Sequence, residues 1–199
     1  MKTQPAPETI WKLFADEQHG KYVEWKFYHS DKSVFTTAGF QMIFDAYYAY
    51  KTVEGFTQKG TYTRIIVPYK SEDGFRFEVA PADWLAKLMK PFSNNRVSTG
   101  NMIFDKTFVV KTNEKNKMTI FLHNEQLLRR LLEFPKFNLQ ISSTRGVWEE
   151  ELPKDQYELT WFTDGLPERT SQLNQLRQNM EFILGQFNKI TTIEPVQYF

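Results

Sequence analysis

The stretch FQMIFDAYYAYKTVEGFTQKGTYTRIIVPYKSEDGFRFEVA, residues 40–80, decides the fold of this chain. It contains three runs, FQMIFDAYYAYKTVEG, TYTRIIVPYK and FRFEVA, that are rich in the aromatic and β-branched residues of β-strands. The runs are separated by short segments, such as the polar turn SEDG at 71–74. Because a turn of this length cannot make a parallel crossover, the three runs are predicted to be consecutive antiparallel strands.

Further strands are predicted on both sides of this stretch. The segment KYVEWKFYHS alternates between its two faces with a period of two residues, which is typical of a half-buried strand. Four later segments, KTFVVKT, FNLQIS, RGVWEEEL and QYELTWFT, are also predicted as strands. The sequence therefore predicts a mainly antiparallel sheet of about six to eight strands.

Helical spacing of apolar residues predicts helices at the N-terminus, in the centre and at the C-terminus. We expect Asn113 and Asn124 to cap two neighbouring central helices. Gly185 lies inside the long C-terminal helix, predicted over 168–190, which indicates either close packing or fraying there. The fold class is predicted to be α+β, as a single domain of residues 1–199 with helices packed on the sheet. The predicted helices are ETIWKLFADEQHG, PADWLAKLMKPF, EKNKMTIFL, EQLLRRLLEF and residues 168–190.

Composition excludes several classes of partner. The chain of 199 residues has 25 basic and 24 acidic side chains and a formal charge of +1. A balanced charge of this kind gives no electrostatic footprint for nucleic acid or for an anionic membrane surface. The absence of cysteine excludes disulfides and thiolate-held metals. No segment approaches the length of about 20 apolar residues that spans a bilayer, and no signal peptide is evident, so a cytoplasmic location is expected.

The segment TGNMIFDKTFVVKTNEKNKMTIFLHNEQLLRRLL, residues 99–132, contains the first candidate site, Asp105 and Lys106. If a strand begins this early, Phe104, Lys106 and Phe108 share one of its faces. Asp105 is then an acid, a base or a ligand. The alternative is that Asp105 follows a turn at Gly100 and accepts hydrogen bonds from nearby backbone N–H groups, which is a common role of Asp.

Arg64 is the second candidate, because a guanidinium among strand aromatics can bind a carboxylate or a phosphate through its fork. The alternative is that Arg64 lies on the solvated face or forms an ion pair with a carboxylate on a neighbouring strand, and Asp45 and Asp105 are the expected partners. The candidate binding residues are therefore Arg64, Asp45, Asp105 and Lys106. Since His19, His29 and His123 show no metal-ligand spacing, no metal and no cofactor are predicted.

The motifs YTRIIVPY, FRFEVA and TGNMIFDKTFVVKTNEKNKM occur in an order that resembles a group of uncharacterised bacterial proteins. In that group a Thr-Arg strand and an aromatic-rich strand precede a Gly-x-x-x-Phe-Asp-x-x-Phe-x-Val block. The resemblance implies an α+β fold and implies no activity.

Three functions remain open on the sequence. The first is a non-catalytic, soluble binding or interaction module for a small molecule, a peptide or another protein. It rests on the aromatic content, with 18 Phe, 9 Tyr and 5 Trp. The second is an enzyme of unrecognised class that uses Asp105, Arg64 and Asp45, with His123 as a further candidate. The third is a structural subunit of an oligomer.

Overall fold

A computed structural model describes residues 7–24, 30–53, 56–81, 96–134, 136–144 and 151–199 of the chain. These residues form five helices and ten strands. The helices are α1 (Pro7–Glu17), α2 (Met102–Thr107), α3 (Lys115–Leu122), α4 (Glu125–Leu132) and α5 (Thr170–Phe187). The strands are β1 (Lys21–Val23), β2 (Lys32–Thr37), β3 (Phe40–Val53), β4 (Phe56–Lys70), β5 (Phe77–Pro81), β6 (Arg96–Val97), β7 (Phe108–Thr112), β8 (Phe137–Ser142), β9 (Gln156–Asp164) and β10 (Glu194–Pro195).

The ten strands form one antiparallel sheet in the order β1-β2-β3-β4-β9-β8-β5-β7-β6, with β10 pairing with β4. The long hairpin of β3 and β4 lies near its middle, and Asp45 is the direct partner of Arg64 in that hairpin. On its other side, β4 pairs with β9, so that Arg64 is also opposite Phe162. The predicted mainly antiparallel sheet with helices is confirmed.

The predicted number of six to eight strands is too low. The predicted strand KYVEWKFYHS is described at its start, as β1, and β2 was not predicted. Strands β6 and β10 have only two residues each. A segment of that length cannot show a two-residue period, so a search for alternation does not find it.

All five described helices contribute to one large hydrophobic core on one face of the sheet. Because side chains alternate between the two faces of a strand, residues such as Phe44 on β3 and Ile65 on β4 point towards this core. Phe187 of α5 packs against Tyr69, Phe75 and Phe77, with ring centroids 5.5 to 6.2 Å apart. Aromatic packing therefore joins the C-terminal helix to the sheet.

Several local predictions can be compared with the structure. The Asn124 side chain accepts a hydrogen bond from the N–H of Leu127, so the predicted cap of α4 is confirmed. Asn113 does not cap α3, which begins after Glu114; its side chain instead bonds the backbone of Gly74 and Arg76. Gly185 is exposed and α5 continues to Phe187, so neither close packing nor fraying explains this glycine.

The prediction of a strand that begins before Phe108 is wrong, because residues Met102–Thr107 form α2. The side chain of Asn101 accepts hydrogen bonds from the N–H groups of Ile103 and Phe104, which favours a helical turn over a strand. Phe104, Lys106 and Phe108 therefore do not share a strand face. The predicted helix PADWLAKLMKPF and the predicted strand RGVWEEEL lie largely outside the described residues, as does the middle of KYVEWKFYHS, whose first residues form β1.

Candidate binding site on the polar face of the sheet

The sheet face opposite the helices carries buried polar side chains, and we call it the polar face. Alternation along the paired strands places Asp45, Arg64 and their cross-strand partners on this side. Two small apolar clusters also occupy it, one around Tyr47 and Phe162 and one around Ile43 and Ile66. The buried polar side chains of the polar face are Lys32, Gln41, Asp45, Arg64, Glu78, Asn138, Gln140, Glu158 and Thr160.

Asp45, Arg64 and Lys32 form a buried charge cluster at the centre of this face. Arg64 donates from Nε to Asp45 Oδ1 at 2.8 Å and from a terminal nitrogen to Oδ2 at 2.7 Å. Lys32 Nζ donates to the same Oδ2 at 2.6 Å. Asp45 is only 1 % exposed, so water does not screen these contacts effectively. This is the ion pair that the sequence predicted as one of two alternatives for Arg64.

The charge cluster holds Asp45 ionised. Burial raises the pKa of the Asp45 carboxyl, but the Arg64 charge and its hydrogen bonds, together with those of Lys32, outweigh burial and lower the pKa below its ordinary value. The Arg64 guanidinium also lies 4.8 Å from the centroid of the Tyr47 ring, in cation–π geometry. The Tyr47 ring in turn contacts Phe162 edge-on at 5.4 Å. Arg64 is therefore fixed both by charge and by packing.

A second polar group lies on β5 and β8 of the same face. Asn138 Nδ2 donates to Glu78 Oε1 at 2.8 Å, and Gln140 is the direct cross-strand partner of Glu78. Burial raises the pKa of Glu78 above its ordinary value, against the lowering effects of the Asn138 hydrogen bond and the Lys111 charge. Glu78 thus takes up a proton more readily than an ordinary glutamate does.

The C-terminal segment, residues 196–199, crosses one end of the polar face. The Gln41 side chain accepts from the N–H of Tyr198 at 2.8 Å and donates to the carbonyl of Phe199 at 3.0 Å. The Tyr198 hydroxyl donates to Glu158 Oε1 at 3.0 Å. The Tyr198 ring packs beside Val34, Ile43 and Ile66. The segment therefore covers an apolar patch next to the polar side chains.

Asp105, the other predicted acid, lies elsewhere. Its two oxygens accept hydrogen bonds from Ser98, from the backbone and hydroxyl of Thr99, and from the N–H of Gly100, at 2.6 to 3.2 Å. Burial raises the pKa of Asp105, but these hydrogen bonds together outweigh burial and lower the pKa below its ordinary value. The geometry is that of a carboxylate that closes a local turn, the alternative described above.

The structure thus brings Asp45 and Arg64 together and does not place Asp105 beside them. Arg64 lies on β4, and Asp105 lies on α2, which directly precedes β7. Four strand-to-strand steps in the sheet, each of about 4.8 Å, separate β4 from β7. Lys106 is exposed on α2. A cleft of about 340 Å³ lies beside Asp105, between β6 and β7, and its lining includes Arg96, Val97 and Phe108.

The residues that sequence reasoning missed are Lys32, Glu78, Asn138 and Gln140. Only the strand register could have identified them, because each is directly opposite another residue of the polar face on a neighbouring strand. Among the described residues, no three His, Asp or Glu side chains are grouped in a way that could hold a metal ion. No helix in the described ranges has the length and apolar character needed to cross a membrane.

Comparisons of the chain with protein-family models, with curated proteins and with solved structures gave no match. The resemblance of the Phe-Asp-x-x-Phe block to uncharacterised bacterial proteins stays a prediction.

Proposed function

We propose that this chain is a non-catalytic binding module that takes a small polar molecule on the polar face of its sheet. One observation carries the proposal: charged and amide side chains are buried on the face that the described helices leave uncovered. Burying charges is costly, and apolar side chains of similar volume are often as stable or more stable in their place. Proteins that break a rule of stable packing, as by burying charges, do so at functional sites.

The geometry of the charge cluster suits recognition. Arg64 is held by two hydrogen bonds to Asp45 and by the Tyr47 ring, so its position is set before any ligand arrives. Preorganised groups lose less conformational entropy on binding than mobile ones do. The aromatic residues Tyr47 and Phe162 supply an apolar wall beside the charges. A few fixed polar groups next to apolar walls are typical of small-molecule sites.

The carboxylates favour binding over catalysis. A general base works best when its pKa is near the working pH. The pKa values of Asp45 and Asp105 are both lowered, and both oxygens of each carboxylate already accept hydrogen bonds from neighbouring residues. These two acids are therefore poor proton acceptors. The proposed cytoplasmic location, without nucleic acid or membrane as partner, rests on composition alone.

The test compares the wild-type protein with the apolar triple variant Lys32→Met, Asp45→Leu, Arg64→Met. Both proteins are screened by thermal shift against amino acids, amines, sugars, nucleosides and carboxylic acids, and each hit is verified by native mass spectrometry. We expect at least one compound class to raise the melting temperature of the wild type and not that of the variant. Circular dichroism checks that the variant is folded, which the isosteric replacement favours.

The matched control is the double variant Glu125→Ala, Arg129→Ala on α4. This ion pair is 3.6 Å long and its side chains are largely exposed, far from any buried charge. The control is expected to retain every hit. Hits that the folded triple variant binds equally would lie outside the charge cluster, and a complete screen without a hit would contradict the proposal.

A further inference from the structure

Three side-chain oxygens on neighbouring strands of the polar face have no hydrogen-bond donor among the residues that the structure describes. They are Glu78 Oε2 on β5 and Asn138 Oδ1 and Gln140 Oε1 on β8. We call them the acceptor cluster. Their residues are 1 %, 1 % and 4 % exposed, so bulk solvent does not reach them. Buried polar atoms in folded proteins nearly always have a partner, so three neighbouring exceptions point to an additional group.

The three residues are close together because of strand register. Glu78 and Gln140 are directly paired, which places their Cβ atoms about 4.5–5.5 Å apart. The bond from Asn138 Nδ2 to Glu78 Oε1, at 2.8 Å, sets the orientation of the Asn138 amide, because only the NH2 side can donate. Asn138 Oδ1 is thereby left as an acceptor on the same patch.

All three atoms are acceptors when Glu78 is ionised, and one of them then belongs to a carboxylate. The matching partner must donate several hydrogen bonds and favours carrying a positive charge. A primary ammonium group has three donors and one charge, which corresponds to three acceptors and one carboxylate. A water molecule donates only two hydrogen bonds and leaves the carboxylate charge uncompensated.

We propose that the acceptor cluster of Glu78, Asn138 and Gln140 binds the primary ammonium group of a small amine. This inference rests on the proposed function and names the ligand class of the same face. The Glu78 carboxylate supplies the opposite charge, and the two amide carbonyls complete the coordination of the ammonium hydrogens.

Charged neighbours of Glu78 are consistent with this assignment. Lys111 on β7 is the direct cross-strand partner of Glu78 on the other side, and Arg96 on β6 is the partner of Lys111. The strand β8 presents only the neutral amides of Asn138 and Gln140 to Glu78. Lys111 is half-buried, and the ion pairs of the described residues include none between Lys111 and Glu78. A ligand amine therefore competes for the Glu78 carboxylate with the Lys111 ammonium group, which is near Glu78 and not bonded to it.

Binding of an ammonium group to Glu78 is coupled to loss of a proton from this carboxyl. Burial raises the pKa of Glu78, so part of the unliganded protein carries the protonated form. The ammonium ion binds the ionised form, and affinity is expected to increase with pH until Glu78 is fully ionised. It should fall again only when the amine itself loses its proton, near the pKa of about 10.4 of an alkylammonium group such as Lys.

The experiment titrates the wild-type protein with methylammonium, ethanolamine and 1,4-diaminobutane at pH 5, 7 and 8.5. Acetate and ethylene glycol are the anionic and neutral comparison probes. Side-chain amide NMR signals of Asn138 and Gln140 report binding at the cluster. Calorimetry in two buffers of different ionisation heat measures the released proton. We expect saturable shifts with amines only, and an affinity that increases from pH 5 to pH 8.5.

Three variants test whether amine binding and proton release depend on the acceptor cluster. Glu78→Gln keeps the shape of the side chain and is expected to weaken amine binding at least tenfold and to abolish proton release. Lys111→Met removes the competing cation and should strengthen amine binding several-fold. The control Glu72→Gln, on an exposed turn, should change neither quantity.

The outcomes distinguish this inference from the proposed function. Binding of acetate, glycol or another polar compound on the polar face without amine binding overturns the amine assignment and leaves the binding module standing. Equal amine affinity in wild type and Glu78→Gln also overturns it. If no compound of any class binds the wild type, the proposed function and this inference both fail.

Discussion

Arg64 and Asp45 lie directly opposite each other on β4 and β3, and both oxygens of the Asp45 carboxylate accept hydrogen bonds from the one guanidinium. Such a bidentate, charge-assisted contact is stronger than a hydrogen bond between neutral groups. Lys32 adds a second cation to the same carboxylate. Because the three charges share one buried location, the effect of removing any one of them depends on what remains.

Removing the central anion should be severe. The variant Asp45→Ala removes the buried carboxylate to which both Arg64 and Lys32 are paired. Breaking a buried ion pair from one side typically costs about 3–5 kcal/mol. We therefore expect the free energy of unfolding, measured by urea denaturation at pH 7, to fall by about that amount.

Two comparisons qualify this result. The apolar triple variant at positions 32, 45 and 64 should recover most of the lost stability, since it buries no charge. Glu125→Ala, in an exposed pair, should change the free energy of unfolding by less than about 0.5 kcal/mol. A loss below about 1 kcal/mol for Asp45→Ala would mean that water reaches the cluster.

Much of the sheet could be predicted from the sequence, because residues 40–80 show strand composition and short polar turns. The polar face could not. Alternation assigns Glu78 and Asp45 to the face opposite the core, and such residues are ordinarily solvated. The residues that complete the two polar clusters come together because distant strands, β8 and β9, pair beside β5 and β4. This pairing is long-range in the sequence and leaves no local pattern.

Residues 102–107 show the opposite difficulty. The segment MIFDKT contains strand-forming residues, yet it folds as α2 with Met102 and Ile103 exposed. The deciding contacts are local hydrogen bonds: the cap by Asn101, and the bonds that Asp105 accepts from Ser98 and Thr99. Asn before a helical turn is a readable signal, and weighing it more heavily than strand propensity would have found α2.

Glu78 should make the protein less stable as pH rises. Its pKa in the folded state is above the ordinary glutamate value of 4.5, so the folded state binds more protons than the unfolded state between these two values. Stability present below pH 4.5 is therefore lost as pH rises through the folded pKa. Glu78→Gln, which cannot ionise, should gain stability relative to wild type across this window and keep a constant advantage above it.

The pH comparison uses urea denaturation from pH 2.5 to pH 8, with Asp105→Asn as a variant of opposite sign. The folded pKa of Asp105 is below 3.8, so its contribution is present above the unfolded pKa and is lost as pH falls through the folded pKa. The deficit of Asp105→Asn should thus be largest at neutral pH and shrink in acid. A pH-independent difference for Glu78→Gln would contradict the burial of an ionisable carboxyl.

Gln41 should control the local opening of the C-terminal segment. Its amide satisfies the N–H of Tyr198 and the carbonyl of Phe199. Gln41→Met keeps the volume and removes both hydrogen bonds, each with a net value of about 0.5–1.5 kcal/mol. We expect hydrogen exchange at the Tyr198 amide to accelerate about tenfold. Gln197→Met removes one exposed bond of 3.3 Å to Gly39 and should leave that amide nearly unchanged.

Gly185 should be a site of stabilisation. It is exposed inside α5, and a Cβ built there meets no atom within 4 Å. Replacing glycine by alanine in a helix interior gains about 0.5–1 kcal/mol, since the unfolded chain loses conformational freedom. Gly165 is the matched control, because a Cβ there also meets nothing within 4 Å, but its φ is +81°. Gly165→Ala should therefore lose roughly 1–2 kcal/mol from left-handed strain alone. Thermal and urea unfolding of the two variants would give opposite signs, and a destabilised Gly185→Ala would show that α5 packs against something at that position.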